Sequence, residues 1–245
     1  MIEDGNTSKY NVEEQELFLY QRMRATSNGI HHLSDHLELL KHLAAKLLPQ
    51  VTLPTTSEIA TACSTLLHRG GYNPRAVHII ELRLYTTGKY NLRVVETSLY
   101  KEFTLRVMRP KAILFDSHNS LLTLPTSAES TTNTLMRLYA YQYGGNIAIC
   151  VDREGKILSV DGANPVITHG TNIVASNSIP SIYNTQLIER LKRLNNYTLT
   201  LRHISTSELS TADELFYADH RGITAVGELQ EHYFSDSIAY AAANS

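Results

Sequence analysis

The chain contains no tryptophan, so its aromatic packing rests on 14 Tyr and 5 Phe. Cysteine is almost missing as well. Cys63 and Cys150 stand far apart, without metal-ligand spacing. That excludes a disulfide framework and a cysteine-rich metal centre, and a reduced, cytoplasmic setting is expected. Charge of neither sign is massed: 22 Lys+Arg stand against 24 Asp+Glu, a net charge of −2. With no basic stripe and no acidic block, nucleic acid is not an expected partner. No apolar run approaches a membrane span, so no membrane partner is expected. The N-terminal MIEDGNTSKYNVEEQE is polar and acidic and does not read as a signal peptide.

What is present is an ordinary globular composition. The 245 residues are 42% hydrophobic and 19% charged, enough for one large domain or two smaller ones. Residues 1–14 read as frayed. LFLYQRMRA (17–25) reads as a strand, TSNG (26–29) as a turn and IHHL (30–33) as the returning strand. Ser34 can cap a helix with apolar residues at Leu37, Leu40, Leu43, Leu47 and Leu48. A second helix fits residues 56–71, capped by Thr56 or Ser57 and ended by Gly70-Gly71. Residues 76–85, 91–100, 103–109 and 112–116 then alternate as strands, with TTGK (86–89) turning between the first two. An antiparallel sheet with a helix pair on one face follows.

Residues 117–133 are Ser/Thr-rich and irregular, and a hinge is expected there. It separates an N-terminal α+β domain, 1–119, from a C-terminal, β-rich, barrel-like domain, 120–245. The second half opens with a helix at 134–145. A hairpin at 146–160 turns on Arg153-Glu154-Gly155. Paired short strands follow at 164–176, an amphipathic helix at 179–194, a strand at 197–205, a short helix at 207–213, strands at 215–218 and 223–226, and a terminal helix.

Three stretches carry a resemblance. HHLSDHLELLKHLAAKLL (31–48) leads from a strand turn through a His into an amphipathic helix. EGKILSVDGANPVI (154–167) is a central hairpin ending in Asn and apolar residues. ELSTADELFYADHRGITAVGE (208–228) joins Ala-Asp-Glu to an apolar strand, a turn with Arg-Gly-Ile and a second strand. In order and spacing, most of the chain resembles the fold type IV pyridoxal-phosphate enzymes, which include branched-chain aminotransferase, D-amino acid aminotransferase and aminodeoxychorismate lyase. The resemblance implies a two-domain α+β fold, a homodimer and a substrate cleft at the domain junction.

The family's chemistry needs a lysine for the internal aldimine, a carboxylate on the pyridine nitrogen and donors for the phosphate. By the resemblance, the lysine lies three residues before an Asn that opens a helix. Asn133 matches, and the position holds Ser130. No lysine stands between Ala112 and Gly155. The carboxylate lies five residues before the hairpin Asn; Asn164 matches and the position holds Ser159. Asp161, two residues on, is a substitute on the same face of a regular strand. The phosphate arginine lies three residues after the first-helix His; His36 matches and the position holds Leu39. The Gly-Ile-Thr phosphate turn stands here as Ser181-Ile182-Tyr183. The expectation is therefore a degenerate site with no catalytic residue assigned and no cofactor, the family's pyridoxal phosphate having been lost.

Other residues have plainer readings. His32 and His36 share a helical face without a third ligand, so no metal is expected. His78 reads as a buried, satisfied histidine, and Arg69-Gly70-Gly71-Tyr72 as a helix C-cap. Asp219-His220-Arg221 is either an exposed turn or an anion site with Arg221 as donor. Arg221, His220 and Asp161 are the ligand-binding candidates. The leading expectation is a class IV aminotransferase-like, lyase-like protein without pyridoxal-phosphate chemistry, binding a small carboxylated ligand at the interdomain cleft. The alternatives are an active lyase or aminotransferase acting on a chorismate-derived or amino-acid substrate, and a non-catalytic dimeric interaction protein.

Overall fold

In the computed structural model, residues 2–3, 6–7, 17–100, 103–117 and 124–245 are described. Most of the stretch read as frayed, and residues 118–123 of the expected hinge, lie outside them. The chain divides into two compact units, Met1–Lys101 with Pro125–Ser127, and Glu102–Leu124 with Ala128–Ser245. No described helix is long and apolar enough to cross a membrane.

The first unit is a six-stranded antiparallel sheet with two helices. Its strands are β1 (Ile2–Glu3), β2 (Asn6–Thr7), β3 (Phe18–Thr26), β4 (Gly29–Ile30), β5 (Val77–Tyr85) and β6 (Tyr90–Ser98), in the order β2-β1-β6-β5-β3-β4. Alternation explains its two faces. On β3, Leu19, Gln21 and Met23 point one way and Phe18, Tyr20 and Arg22 the other. Helix α1 (Leu33–Leu47) covers the first face, where His36 Nδ1 lies 3.1 Å from Gln21 Oε1. It buries His36, Leu40, Leu43 and Ala44, whereas Leu47, expected in the apolar row, is exposed.

Both helix starts differ from the sequence expectation. His32, in a left-handed conformation (φ 54°) and with no side-chain cap bond, precedes α1, so Ser34 already lies inside the first turn. Thr55, not Thr56 or Ser57, caps α2 (Thr56–Arg69). Its hydroxyl accepts from Glu58 N at 3.3 Å, and the Glu58 carboxylate accepts from Thr55 N at 2.7 Å. This reciprocal box satisfies two donors that a helix start otherwise leaves open.

The second unit holds β7 (Lys111–Asp116), α3 (Ser127–Gln142, all but its first residue), β8 (Ile147–Val151), β9 (Ile157–Val160), β10 (Val166–His169), β11 (Asn172–Ala175), α4 (Ile182–Lys192), β12 (Thr198–Leu201), α5 (Thr206–Leu209), β13 (Glu214–Asp219), β14 (Gly222–Ala225), β15 (Glu228–Leu229), β16 (His232–Tyr233) and α6 (Ser237–Ala243). They form two five-stranded sheets, β12-β11-β10-β13-β14 and β16-β15-β7-β8-β9. Neither order closes on itself, so the barrel-like part of the expectation takes the form of two open sheets.

Three readings change here. Residues 112–116 do not extend the first sheet; β7 pairs in parallel with β8. Residues 103–109 form no strand; Leu105 bridges to Ile223, and the Arg106 guanidinium donates to the Thr224 hydroxyl at 3.2 Å. Helix α3 starts at Ser127 rather than at 134, so Ser130 and Asn133 lie inside it. A Ser/Thr-rich run has weak helix propensity, and tertiary packing overrides it. The buried face of α3 is set by Met136 and Ala140, which pack with Ala148, Cys150 and Leu158.

Candidate functional site

In the second unit, Ser130 is half-buried on α3 and Ser159 is buried in β9, opposite Cys150 of β8. A side chain on Gly162 would come within 2.5 Å of Asn133 Nδ2, and Gly162 has φ +82°. Only glycine lets the turn after β9 approach α3 so closely. Asn133 Nδ2 also donates to the Glu129 carboxylate.

Asp161 begins that turn, with φ 50°. The turn breaks the strand, so the two-residue spacing from Ser159 does not keep Asp161 on the same face. Its carboxylate accepts from Arg137 Nε at 2.7 Å and Arg137 NH2 at 3.1 Å. It also accepts from Arg221 NH2 at 2.7 Å and from the Tyr217 hydroxyl at 3.2 Å. Arg221 Nε donates to Asp219 at 2.8 Å, and Arg221 N does so at 2.7 Å. The result is an alternating chain Arg137–Asp161–Arg221–Asp219. Burial would raise the Asp219 carboxyl, but the Arg221 and His220 charges and the Arg221 hydrogen bonds hold it well below the usual range. Burial and the two carboxylates push the Tyr217 hydroxyl well above its ordinary value. His220 is buried in the same turn. Gly222 closes it at φ +124°, where a Cβ would meet Thr104 O at 2.6 Å.

The structure thus brings Asp161 and Arg221 together. Arg137 and Tyr217 complete the chain and were not singled out from the sequence. Arg137 sits 24 residues from Asp161, and no local pattern links them. The residues matched to a phosphate turn have other contacts. Ser181 is the N-cap of α4 and its hydroxyl accepts from Asn184 N at 3.3 Å. Ile182 opens the helix, half-buried. Tyr183 is buried, and its ring stacks on Phe103 at 5.9 Å. Asn164 is a tether: Nδ2 donates to Ile179 O at 2.7 Å and Oδ1 accepts from Ile179 N at 2.9 Å. Leu39 is half-buried on α1 of the first unit.

The Ala212-Asp213-Glu214 signature proves structural. Glu214 is buried and accepts from Ile238 N at 2.8 Å and Ala239 N at 3.1 Å, so it caps α6. Asp213 accepts from Gly170 N at 2.6 Å.

The second unit has three lysines among its described residues. Lys111 donates to Glu228 Oε1 at 2.6 Å and Lys192 to Glu189 Oε1 at 2.7 Å. Lys156 lies at the end of the β8–β9 turn, its backbone N on Asp152.

The first unit carries a different constellation. Arg22 of β3, Glu81 and Arg83 of β5 and Arg93 of β6 share the face away from α1. Glu81 pairs directly with Arg22 and with Arg93 across the strands. The Glu81 side chain is 1% exposed and accepts from Arg22 Nε at 2.9 Å, Arg83 Nε at 2.8 Å and Arg93 NH2 at 2.7 Å. Burial would raise its pKa, but Arg22 and Arg93, with hydrogen bonds from Arg22 and Arg83, pull it down to about 2. Phe18, Tyr20 and Tyr85 pack beside it, and the Arg83 guanidinium stands 4.3 Å over the Phe18 ring. The sequence signal was available, because charged residues recur at period two in otherwise apolar strands. Elsewhere in this unit the two histidines of α1 diverge: His32 Nδ1 lies 3.2 Å from Asp35, and His36 turns inward to Gln21.

Two units of this architecture, with Asn164 and the Asp161 turn in these places, define a fold type IV pyridoxal-phosphate enzyme scaffold. The class IV amino-transferase family model matches residues 19–222, and the chain belongs to that family. No curated protein sequence matches it. Among solved structures, it is similar to the branched-chain aminotransferase of Thermoproteus uzoniensis with norvaline: 17% identity, 98% of this chain and 91% of that one covered, TM-score 0.80. It is also similar to a putative 4-amino-4-deoxychorismate lyase from Legionella pneumophila, at 15% identity with 98% and 96% covered and TM-score 0.77. A third is the T.th. branched-chain amino acid aminotransferase complexed with N-(5'-phosphopyridoxyl)-L-glutamate, at 16% identity with 98% and 87% covered and TM-score 0.76.

These findings overturn the expectation that no cofactor belongs to the protein. The family is pyridoxal-phosphate-dependent, and the third of these structures holds the phosphopyridoxyl group. The residues in place do not, however, fit covalent attachment of that group. A Schiff base needs a lysine amine, and Ser130 stands at the matched position, with Lys111 and Lys192 held in ion pairs. Nor does Asp161 fit a pyridine-nitrogen partner, because two guanidiniums already share its charge.

Proposed function

We propose that this class IV aminotransferase-like, aminodeoxychorismate lyase-like protein has lost imine chemistry and binds a small carboxylated ligand. The observation that carries the first half is the hydroxyl in place of an amine at Ser130. A serine forms no imine, and the next lysines along the chain, Lys111 and Lys156, belong to other elements. The test is direct. Pure protein is mixed with pyridoxal phosphate, reduced with borohydride and digested for mass spectrometry. No lysine adduct is expected under conditions that trap one in an active family member. A stoichiometric adduct on any one lysine defeats the reading.

The ligand half is supported by the Glu81 cluster. Arg83 and Arg93 bring two positive charges to one carboxylate, before Arg22 is counted. The Arg93 side chain is 33% exposed, so its fork is within reach of solvent. A carboxylate matches a guanidinium fork bidentately, and such charge-assisted bonds contribute about 1.5–3 kcal/mol each. Thermal-shift titration with small carboxylic acids and their amides checks this. A ligand that binds the native state raises the melting temperature. The acids are expected to do so, the amides are not, and Arg93→Gln is expected to weaken the acid response about tenfold, or 1.4 kcal/mol. Equal responses to acids and amides would remove the carboxylate from the proposal.

A further inference from the structure

A cavity of about 310 Å³ lies wholly within the first unit, between the β3–β4 turn, the second half of α2 and the loop leading to β5. It is separate from the Glu81 cluster. His78 reaches it from the sheet face that carries the helices, whereas Glu81, three residues on, belongs to the opposite one. Its volume falls at the lower end of what small-molecule sites occupy.

The lining excludes ionic ligands. Among the described residues no Asp, Glu, Lys or Arg contributes to it, and the titratable side chains are two histidines, Tyr72 and Cys63. His78 has no nitrogen to spare: Nδ1 lies 3.1 Å from the Thr97 hydroxyl and Nε2 lies 3.0 Å from Asn73 O. The imidazole therefore offers a ring surface rather than a polar edge. Tyr72 stands beside it, ring centroids 5.2 Å apart and tilted by 60°. Cys63, a buried free thiol, together with Leu67 and Pro74 makes apolar wall. Exposed polar groups stand at the rim, Ser64 and His68 on α2, Ser27 on the turn and Asn73 in the loop to β5. A charged ligand would lose its hydration with no counter-charge to replace it. A flat uncharged ring fills apolar space against Tyr72, His78 and Leu67 and keeps a polar edge toward the hydroxyls.

We propose that this cavity binds a small, uncharged, planar ring compound, independently of the carboxylate-binding face. The two cysteines supply a built-in reporter. Cys63 lines the cavity, and Cys150 lies in β8 of the second unit. Indole is a suitable probe, and the absence of tryptophan leaves its fluorescence unobscured. The full-length protein is treated with a slow thiol reagent with and without indole, and the two cysteines are quantified separately by mass spectrometry. Indole is expected to slow labelling of Cys63 several-fold and to leave Cys150 unchanged. Ala60→Phe, from an exposed α2 position lining the cavity, is expected to abolish both the protection and indole binding seen by fluorescence. Ser64→Leu, also at the mouth, provides a second obstruction if the first variant folds poorly. Equal slowing at both cysteines, no slowing at Cys63, or full binding by a folded obstructed variant would each overturn the proposal.

Discussion

Glu81 in the first unit and Asp161 in the second are both buried carboxylates gripped by more than one guanidinium, yet their surroundings carry different charge. Around Glu81, Arg22, Arg83 and Arg93 converge on a single negative group. Around Asp161, Arg137 and Arg221 are matched by Asp161 and Asp219, two against two. A balanced chain satisfies itself and fixes the turn that Gly222 closes. The Glu81 cluster brings three guanidiniums to one buried carboxylate, and that is why the carboxylated ligand is proposed there and not at Asp161. The difference teaches that the number of salt bridges says less about a site than the sum of its charges. Position in a turn adjoining the family's signatures made Arg221 conspicuous in the sequence, but its charge is already spoken for by two carboxylates.

The most damaging way to probe this contrast is to neutralise each acid. Breaking a buried ion pair by removing one partner costs roughly 3–5 kcal/mol. Glu81→Gln is expected near the lower end, because Arg22 and Arg93 are partly exposed. Asp161→Asn is expected to cost a similar amount, since Arg137 is also partly exposed. The two should separate on adding a small carboxylate. For this comparison the side chains are truncated, as Glu81→Ala and Asp161→Ala, so that a small carboxylate can stand in for the missing Glu81 carboxyl and recover part of the loss. It has no comparable vacancy beside Asp161, where Arg221 keeps Asp219. Chemical denaturation of both alanine variants with and without acetate measures this. Equal recovery in both would erase the distinction drawn between the clusters.

Acid separates the units a second time. Burial, chiefly, lowers the His36 pKa from 6.5 to about 3. The folded state therefore resists protonation that the unfolded chain accepts. Stability is fully present above about pH 6.5 and is lost as pH falls toward 3, because the unfolded state binds the extra proton. The loss is about 2 kcal/mol by pH 5, at about 1.4 kcal/mol per pH unit. Asp219 runs differently. Its depressed pKa contributes stability above the ordinary carboxylate range, near pH ~4, and loses it only at lower pH. Between pH 6.5 and 4.5 the first unit should weaken while the Asp219 network does not. Melting curves for wild type and His36→Gln across that window decide the matter. Identical pH dependence in the two proteins would show that His36 is not the sensitive group.

How much of this could be read in advance follows from sequence distance. Strands with period-two alternation, such as 76–85, and the glycines at 70–71 and 155 announced their elements. Asn133 and Asn164 marked the positions where Ser130 and Ser159 stand. Contacts between distant segments gave no warning. Arg137 and Asp161 meet because α3 packs against the turn after β9, and Glu214 caps a helix 24 residues away. The helical start at Ser127 was hidden by residues whose intrinsic preference is not helical. The strand at 103–109 failed for the opposite reason. Its alternation was genuine, but its backbone meets the sheet as a single bridge at Leu105 rather than as a ladder, and one bridge does not make a strand.

The smallest expected effect tests that account of legibility on α2. Its start is secured locally: Thr55 and Glu58, three residues apart, exchange bonds with each other's backbone. The helix of the second unit that Glu214 caps is secured from far along the chain. Thr55→Ala removes one acceptor from an exposed N-terminus where water can replace it, so a loss of about 1 kcal/mol is expected. Because the box is local, the loss should be confined to the first turn of α2. Hydrogen exchange at Glu58 N and Ile59 N should quicken, and the amides of Ile238 and Ala239 should be unchanged. A loss spread equally over both sites would mean that the two units unfold as one, and the separation of local from distant stabilisation would no longer describe the molecule.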